Sequence, residues 1–209
     1  MMKNIVVLVS GGGTNLQALI DAQNSGIIKN GRITCVISSN PEAYALERAK
    51  NNSIDTAVIR RKDFAGFDDY DRALTDLLIE KNADLVVLAG FLTILGHIVI
   101  SRFENKIINI HPALIPSFCG EGFYGLRVHK AALEKGVKLT GATAHFVNEE
   151  CDGGPIILQK AVEIQNGDTP EVLQKRVMQQ AEWKILPEAV SLFCQDKIKV
   201  IDNHAVIGE

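Results

Sequence analysis

Short, mainly apolar runs alternate along this chain with longer stretches whose apolar positions recur every three or four residues. The runs Ile5–Val9, Ile33–Ile37, Ala57–Ile59, Leu85–Leu88 and Ile107–Ile110 predict strands buried on both faces, because a strand with one wet face would alternate with period two. Between them, Asn15–Ala22 after a cap-competent Thr14, Ala43–Lys50 after Pro41, Tyr70–Glu80 and the shorter Ile98–Phe103 predict helices. Strands and helices taken in turn require right-handed crossovers. The expected fold is therefore α/β and Rossmann-like, a mostly parallel twisted sheet with helices on both faces.

The last third changes character. Gly141–Val147 and Ile156–Ile164 predict strands flanking a loop at Asp152, close enough in sequence for antiparallel pairing, so the sheet gains an antiparallel C-terminal extension. Thr169 and Pro170 suit the N-cap and first position of a long amphipathic helix to about Cys194, which Pro187 should kink or break. A short strand at Lys199–Ile201 is expected to close the chain.

Composition narrows the class. Residues 1–209 are enough for one substantial core, and with 46% hydrophobic and 22% charged residues a single globular domain is expected. A net charge of -3, and a basic cluster Arg60-Arg61-Lys62 that runs straight into Asp63, argue against nucleic acid as a partner. The first apolar run is too short for a signal core or a membrane span, so no membrane partner and a cytoplasmic location are expected. Cys35, Cys119, Cys151 and Cys194 lack any C-x-x-C pairing and are expected to be reduced, Cys35 and Cys194 as small core residues.

In open parallel sheets ligands bind beyond the carboxyl ends of the strands, and three polar segments fall there. Ser10-Gly11-Gly12-Gly13-Thr14-Asn15 joins the first strand to a helix, where bare backbone N–H groups and the helix terminus favour a phosphate; the competing reading is a tight turn alone. Leu16 at the third glycine position rules out a dinucleotide fingerprint, and no Gly-Lys-Ser/Thr follows to make a P-loop. Gly90-Phe91 ends the fourth run. After the fifth, Asn109 and His111 point to one face of an extended segment, with Ile110 turned to the core and Pro112 fixing the backbone beyond.

Asp152-Gly153-Gly154-Pro155 read alone is a turn. Beside an amide and an imidazole, its carboxylate completes a set able to stabilise an oxyanion and move protons. His145, on the preceding strand, reads equally as a supporting polar group or a structural histidine. A metal held by His111, His145 and Asp152 lacks diagnostic spacing, so none is expected. No role falls to His97, His129 or His204, and Trp183 reads as packing.

Taken in order, Ser10–Gln17, Leu88-Ala89-Gly90-Phe91, Asn109-Ile110-His111-Pro112, His145-Phe146-Val147 and Asp152–Pro155 resemble the phosphoribosylglycinamide formyltransferases, folate-dependent enzymes of purine synthesis. The resemblance implies transfer of a formyl group from 10-formyltetrahydrofolate, as co-substrate, to the amine of a phosphorylated ribosylglycinamide. For that reaction the chemistry makes Asn109, His111 and Asp152 the catalytic candidates, Asn109 and a protonated His111 as donors to the oxyanion and Asp152 as proton relay. The resemblance implies that Gly13, Thr14 and Asn15 hold the phosphate, that Glu182 contacts the ribose and that Gly90 lies by the amine. Leu92, Thr93, Ile94, Leu95, Asn109, Glu149, Glu150 and Cys151 would line the folate pocket, and the chain would be a monomer or homodimer. Residues 1–108 would then form the phosphate-binding half and 109–209 the catalytic and folate-binding half.

Thr93 and Phe67 stand where some members of that family carry basic residues, and Cys119–Gly125 makes a longer glycine-rich loop, either a lid or a surface insertion. Formyltetrahydrofolate hydrolase and the formyltransferase of methionyl-tRNA share Asn-x-His with a distal Asp, but each carries an extra domain that this length does not accommodate. A non-catalytic nucleotide-binding protein would keep the glycine loop without needing Asn109, His111 and Asp152 together.

Overall fold

In the computed structural model, which describes residues 1–208, β1 (Lys3–Val9) runs through the middle of a seven-stranded sheet. Ile5 to Val9 are all sealed from solvent because the strand is covered on both faces. The remaining strands are β2 (Gly31–Ser38), β3 (Asp55–Val58), β4 (Leu85–Leu88), β5 (Ile107–His111), β6 (Leu139–Phe146) and β7 (Ile156–Glu163). Their order is β3-β2-β1-β4-β5-β6-β7; β1 to β5 are parallel, and β6 and β7 pair antiparallel as the extension predicts.

The order reverses between β1 and β4. Chains leaving the carboxyl ends of these neighbours turn to opposite sides and open a crevice there, bounded by Ser10–Gly13 and Ala89–Phe91.

Each face of the sheet has its own core. Ile5, Val7 and Val9 pack with Leu16, Leu19 and Ile20 of α1 (Thr14–Asn24), Leu46 of α2 (Tyr44–Asn51) and Leu186 and Val190 of α7 (Trp183–Cys194). Val6, Leu8, Cys35 and Ile37 face Tyr70, Leu74 and Leu78, spaced four apart on α3 (Phe67–Glu80), and Val99 of α4 (His97–Arg102). Cys35 and Cys194 are buried, one in each core, as expected.

Several details differ from the sequence reading. Gly13, at φ 71°, occupies the cap position of α1, so Thr14 is the first helical residue and caps nothing. Thr169 does cap α6 (Pro170–Val177), accepting from the N–H of Val172. Between α6 and α7 the helix widens into a π turn over Met178–Glu182, and Pro187 is accommodated inside α7 without ending it. Beyond β8 (Ile198–Ile201) the chain continues through Asp202 and Asn203, both at positive φ, into β9 (His204–Ile207), forming a two-residue hairpin. Among the described residues no helix is long and apolar enough to cross a membrane.

Candidate active site

The crevice holds a cavity of about 690 Å³. The residues expected to bind or react line it: Gly13, Thr14, Asn15 and Glu182 at one end, Gly90 and Leu92–Leu95 along one wall, Asn109, His111 and His145 in the floor, and Glu149–Asp152 on the facing loop. A larger groove of about 810 Å³, between α1 and α7, holds none of the catalytic candidates.

Asn109 and His111 lie two residues apart on β5, and antiparallel pairing sets His145 of β6 directly opposite Asn109. The Nδ1 of His145 donates to the Phe146 carbonyl at 2.8 Å. Its Nε2 lies 3.1 Å from Nδ2 of Asn109 and 3.6 Å from Oδ1 of Asp152. The Asn109 amide is thereby oriented, and its nitrogen also faces Oδ1 of Asp152 at 3.5 Å. His145 is thus a supporting group.

Asp152 sits at φ 57°, a left-handed conformation that aspartate tolerates, on a loop whose Gly154 has no room for a side chain against the Phe146 carbonyl. Its Oδ2 lies 3.3 Å from Nδ1 of His111 and accepts the Gly120 N–H at 2.9 Å. Burial raises the carboxyl's pKa, but the contacts from His145, His111 and Gly120 together outweigh it and hold the group below its ordinary range. For His111, burial outweighs the pull of Asp152 and lowers the pKa. Burial thus opposes the protonated ring expected from sequence, while Asp152 favours it.

The Cys119–Gly125 loop is tied to this pair through its backbone. The Phe118 carbonyl accepts from Nε2 of His111 at 2.8 Å while Gly120 holds Asp152, and Phe123, Tyr124 and Gly125 reach the cavity wall. Burial, and then the Asp152 charge, raise the pKa of Cys119 and Cys151. Neither thiol is activated.

At the glycine-loop end, Asn15 donates from Nδ2 to Oε2 of Glu182 at 2.7 Å. Glu182, on the π turn, is fully buried, and burial pushes its pKa up to about 7. On the opposite wall, Leu92 and Ile94 are exposed by 64% and 62%, an apolar lip next to open solvent. Glu149 pairs with His97, so its carboxylate is already engaged. Phe67 is absent from the cavity lining; its ring packs near Tyr70 with the Arg61 guanidinium above it.

Sequence reasoning missed three groups. His129, on α5 (Leu126–Lys135), is completely buried in the cavity wall, has no hydrogen-bond partner at either ring nitrogen, and is driven down to a pKa of about 4 by burial and then by His111. Its spacing from Ala132 and Leu133 placed it on the buried stripe of that helix. Asp71 of α3, also buried, accepts from the N–H groups of Gly96 and Ile98, each at 2.8 Å, and so fixes the end of the Leu92–Leu95 wall. Gln174 and Met178 close the cavity beside Glu182. Among the described residues no cluster of three or more His, Cys, Asp or Glu side chains could hold a metal ion.

Comparison with known proteins gives the family and the fold. Residues 3–190 match the family described as formyl transferase. The chain is 43% identical over 206 residues to the phosphoribosylglycinamide formyltransferase of Haemophilus influenzae, covering 99% of this chain and 94% of that one. Its fold superposes with a TM-score of 0.93, at 40% identity, on the crystal structure of glycinamide ribonucleotide transformylase 1 from Symbiobacterium toebii, over 100% of this chain and 95% of the other. A formyltetrahydrofolate deformylase from Pseudomonas syringae gives a TM-score of 0.89 at 27% identity, with 67% of its length covered.

Proposed function

The chain belongs to the formyl transferase family, and we propose on that basis that it transfers the formyl group of 10-formyltetrahydrofolate to the amine of 5-phosphoribosylglycinamide, a step of purine biosynthesis. The observation that carries this reading is one continuous cavity joining a glycine-loop anion site to a buried amide, imidazole and carboxylate.

The chemistry follows from the groups present. The amine nitrogen attacks the formyl carbon and negative charge develops on its oxygen. Asn109 offers an oriented N–H whose second contact, 3.5 Å to Asp152, is weak enough for an oxyanion to displace. His111 is the second donor once the oxyanion takes the place of the Phe118 carbonyl at its Nε2, and the new negative charge favours the protonated ring that burial disfavours. Asp152 accepts the proton lost by the attacking nitrogen, directly or through water, and passes it to the folate nitrogen as the old carbon–nitrogen bond breaks. No covalent enzyme intermediate is required.

The two ends of the cavity divide the binding. Gly13, Thr14, Asn15 and Glu182 take the phosphate and ribose, Gly90 lies by the amine, and Leu92–Leu95 with Glu149–Cys151 take the folate ring. On this reading residues 1–108 supply most of the phosphate side and 109–209 the catalytic groups and the rest of the folate side. An assay following tetrahydrofolate tests it: product should form only when the ribonucleotide is present, and ribonucleotide-independent turnover would favour a deformylase.

A further inference from the structure

The cavity poses an electrostatic problem. Its lining contains Glu149, Glu150, Asp152 and Glu182 but no lysine or arginine, yet on the reading above it accepts a phosphate monoester. A cation of α2, Arg48, contacts the glycine loop directly. Nε of Arg48 donates to the Gly12 carbonyl at 2.9 Å, and its Nη1 donates to Oε1 of Gln17 at 3.0 Å. Its guanidinium also stacks over the Tyr44 ring, 5.0 Å from the centroid, which fixes its plane.

A second bond makes the arrangement directional. The Ala45 N–H, also on α2, donates to the Gly11 carbonyl at 3.1 Å. Two successive carbonyls of the loop are therefore drawn towards α2. In a trans peptide the C=O and the following N–H point in opposite directions, so the N–H groups of Gly12 and Gly13 are turned away from α2 and form an anion-binding concavity. The packing enforces this: a Cβ on Gly13 would come within 2.6 Å of the Ala45 side chain, and Gly13 has φ 71°.

We propose that Arg48 is a positioning residue for the phosphate of the acceptor, aiming the Gly12–Gly13 N–H groups through the Gly12 carbonyl and supplying the positive charge that the cavity lining lacks. The proposal rests on the acceptor being a phosphorylated amine.

Calorimetry on the intact protein separates the two claims. The affinities of 5-phosphoribosylglycinamide and of its dephosphorylated riboside are measured for wild type, Arg48→Met and Arg48→Lys, with formyl transfer assayed in parallel. The preference for ribonucleotide over riboside should fall about tenfold in Arg48→Met and stay within about threefold of wild type in Arg48→Lys, since a charge-assisted hydrogen bond is at stake. A merely structural role would weaken both ligands alike and leave the ratio unchanged. Should Arg48→Met not fold, Arg48→Gln, which keeps a donor but not the charge, should also lose preference. A ratio equal to wild type in the uncharged variant that folds, or a wild type that does not prefer the ribonucleotide, overturns the proposal. Wild-type binding without formyl transfer would instead overturn the reaction assigned above and leave the ratio to judge Arg48.

Discussion

The Asp152 carboxylate sits 3.3 Å from Nδ1 of His111, and both side chains are more than nine-tenths buried. With the other ring nitrogen donating to the Phe118 carbonyl, Nδ1 is the ring position left to face the carboxylate. A proton entering between them is held by both, which makes the pair a place to store a proton and release it again.

Asp152→Asn keeps the size of the side chain and a carbonyl oxygen for Gly120 but removes the base. Turnover should fall by orders of magnitude, while ribonucleotide affinity changes less than about threefold because the glycine loop lies at the other end of the cavity. Rapid-quench kinetics with calorimetry checks both. Near-normal turnover would show that the proton leaves by another route.

His129 sets part of the acid sensitivity of the fold. Its pKa is depressed from 6.5 to about 4, so between those values the unfolded chain binds more protons, and stability rises with pH across the window. Below it the charged ring is buried at a cost on the order of 3 kcal/mol. Urea unfolding at pH 7 and pH 4.5 should show wild type losing about 2 kcal/mol more than His129→Leu, as linkage requires.

Glu182 contributes with the opposite sign. Its pKa rises from 4.5 to about 7, so the folded state binds more protons between these values, and stability falls as pH increases through them. Glu182→Gln retains an acceptor for Asn15. Relative to wild type it should gain about 2 kcal/mol on moving from pH 5 to pH 8 in the same experiment, and it should bind the ribonucleotide more weakly. A parallel pH response in the two proteins would mean the carboxyl titrates normally.

Asp71 anchors the Leu92–Leu95 wall, proposed above to take the folate ring, from outside the cavity. Asp71→Ala strips the acceptor from Gly96, Ile98 and Val99, leaving N–H groups at the start of α4 unpaired at a cost of about 2 kcal/mol. The KM for the formyl donor should rise severalfold while that for the ribonucleotide holds. Equal rises in both would mark a general loss of structure.

The strands were readable because β1 and β4 are buried on both faces and so appear as unbroken apolar runs, with β5 broken only by Asn109, and the end of each run marked the crevice. Asn109, His111 and Asp152 were readable because each pairs an unusual polar residue with a strand end or a tight turn. What escaped depended on contacts between distant segments. Asp71 looks like any acidic residue on a helix until Gly96 docks on it, and Arg48 looks like a surface charge until the glycine loop folds over α2. The π turn left no apolar signature, since widening one helical turn changes no residue type, and β9 was hidden behind Asp202-Asn203, whose turn requires positive φ at both residues.

The most direct test follows the carbon itself. Tetrahydrofolate carrying a ¹³C-labelled formyl group is mixed with the enzyme and 5-phosphoribosylglycinamide, and the label is traced by NMR. The account predicts that the signal moves to an amide on the glycyl nitrogen, in step with tetrahydrofolate and only with the ribonucleotide present. Label appearing as free formate at the same rate with or without the ribonucleotide would contradict it.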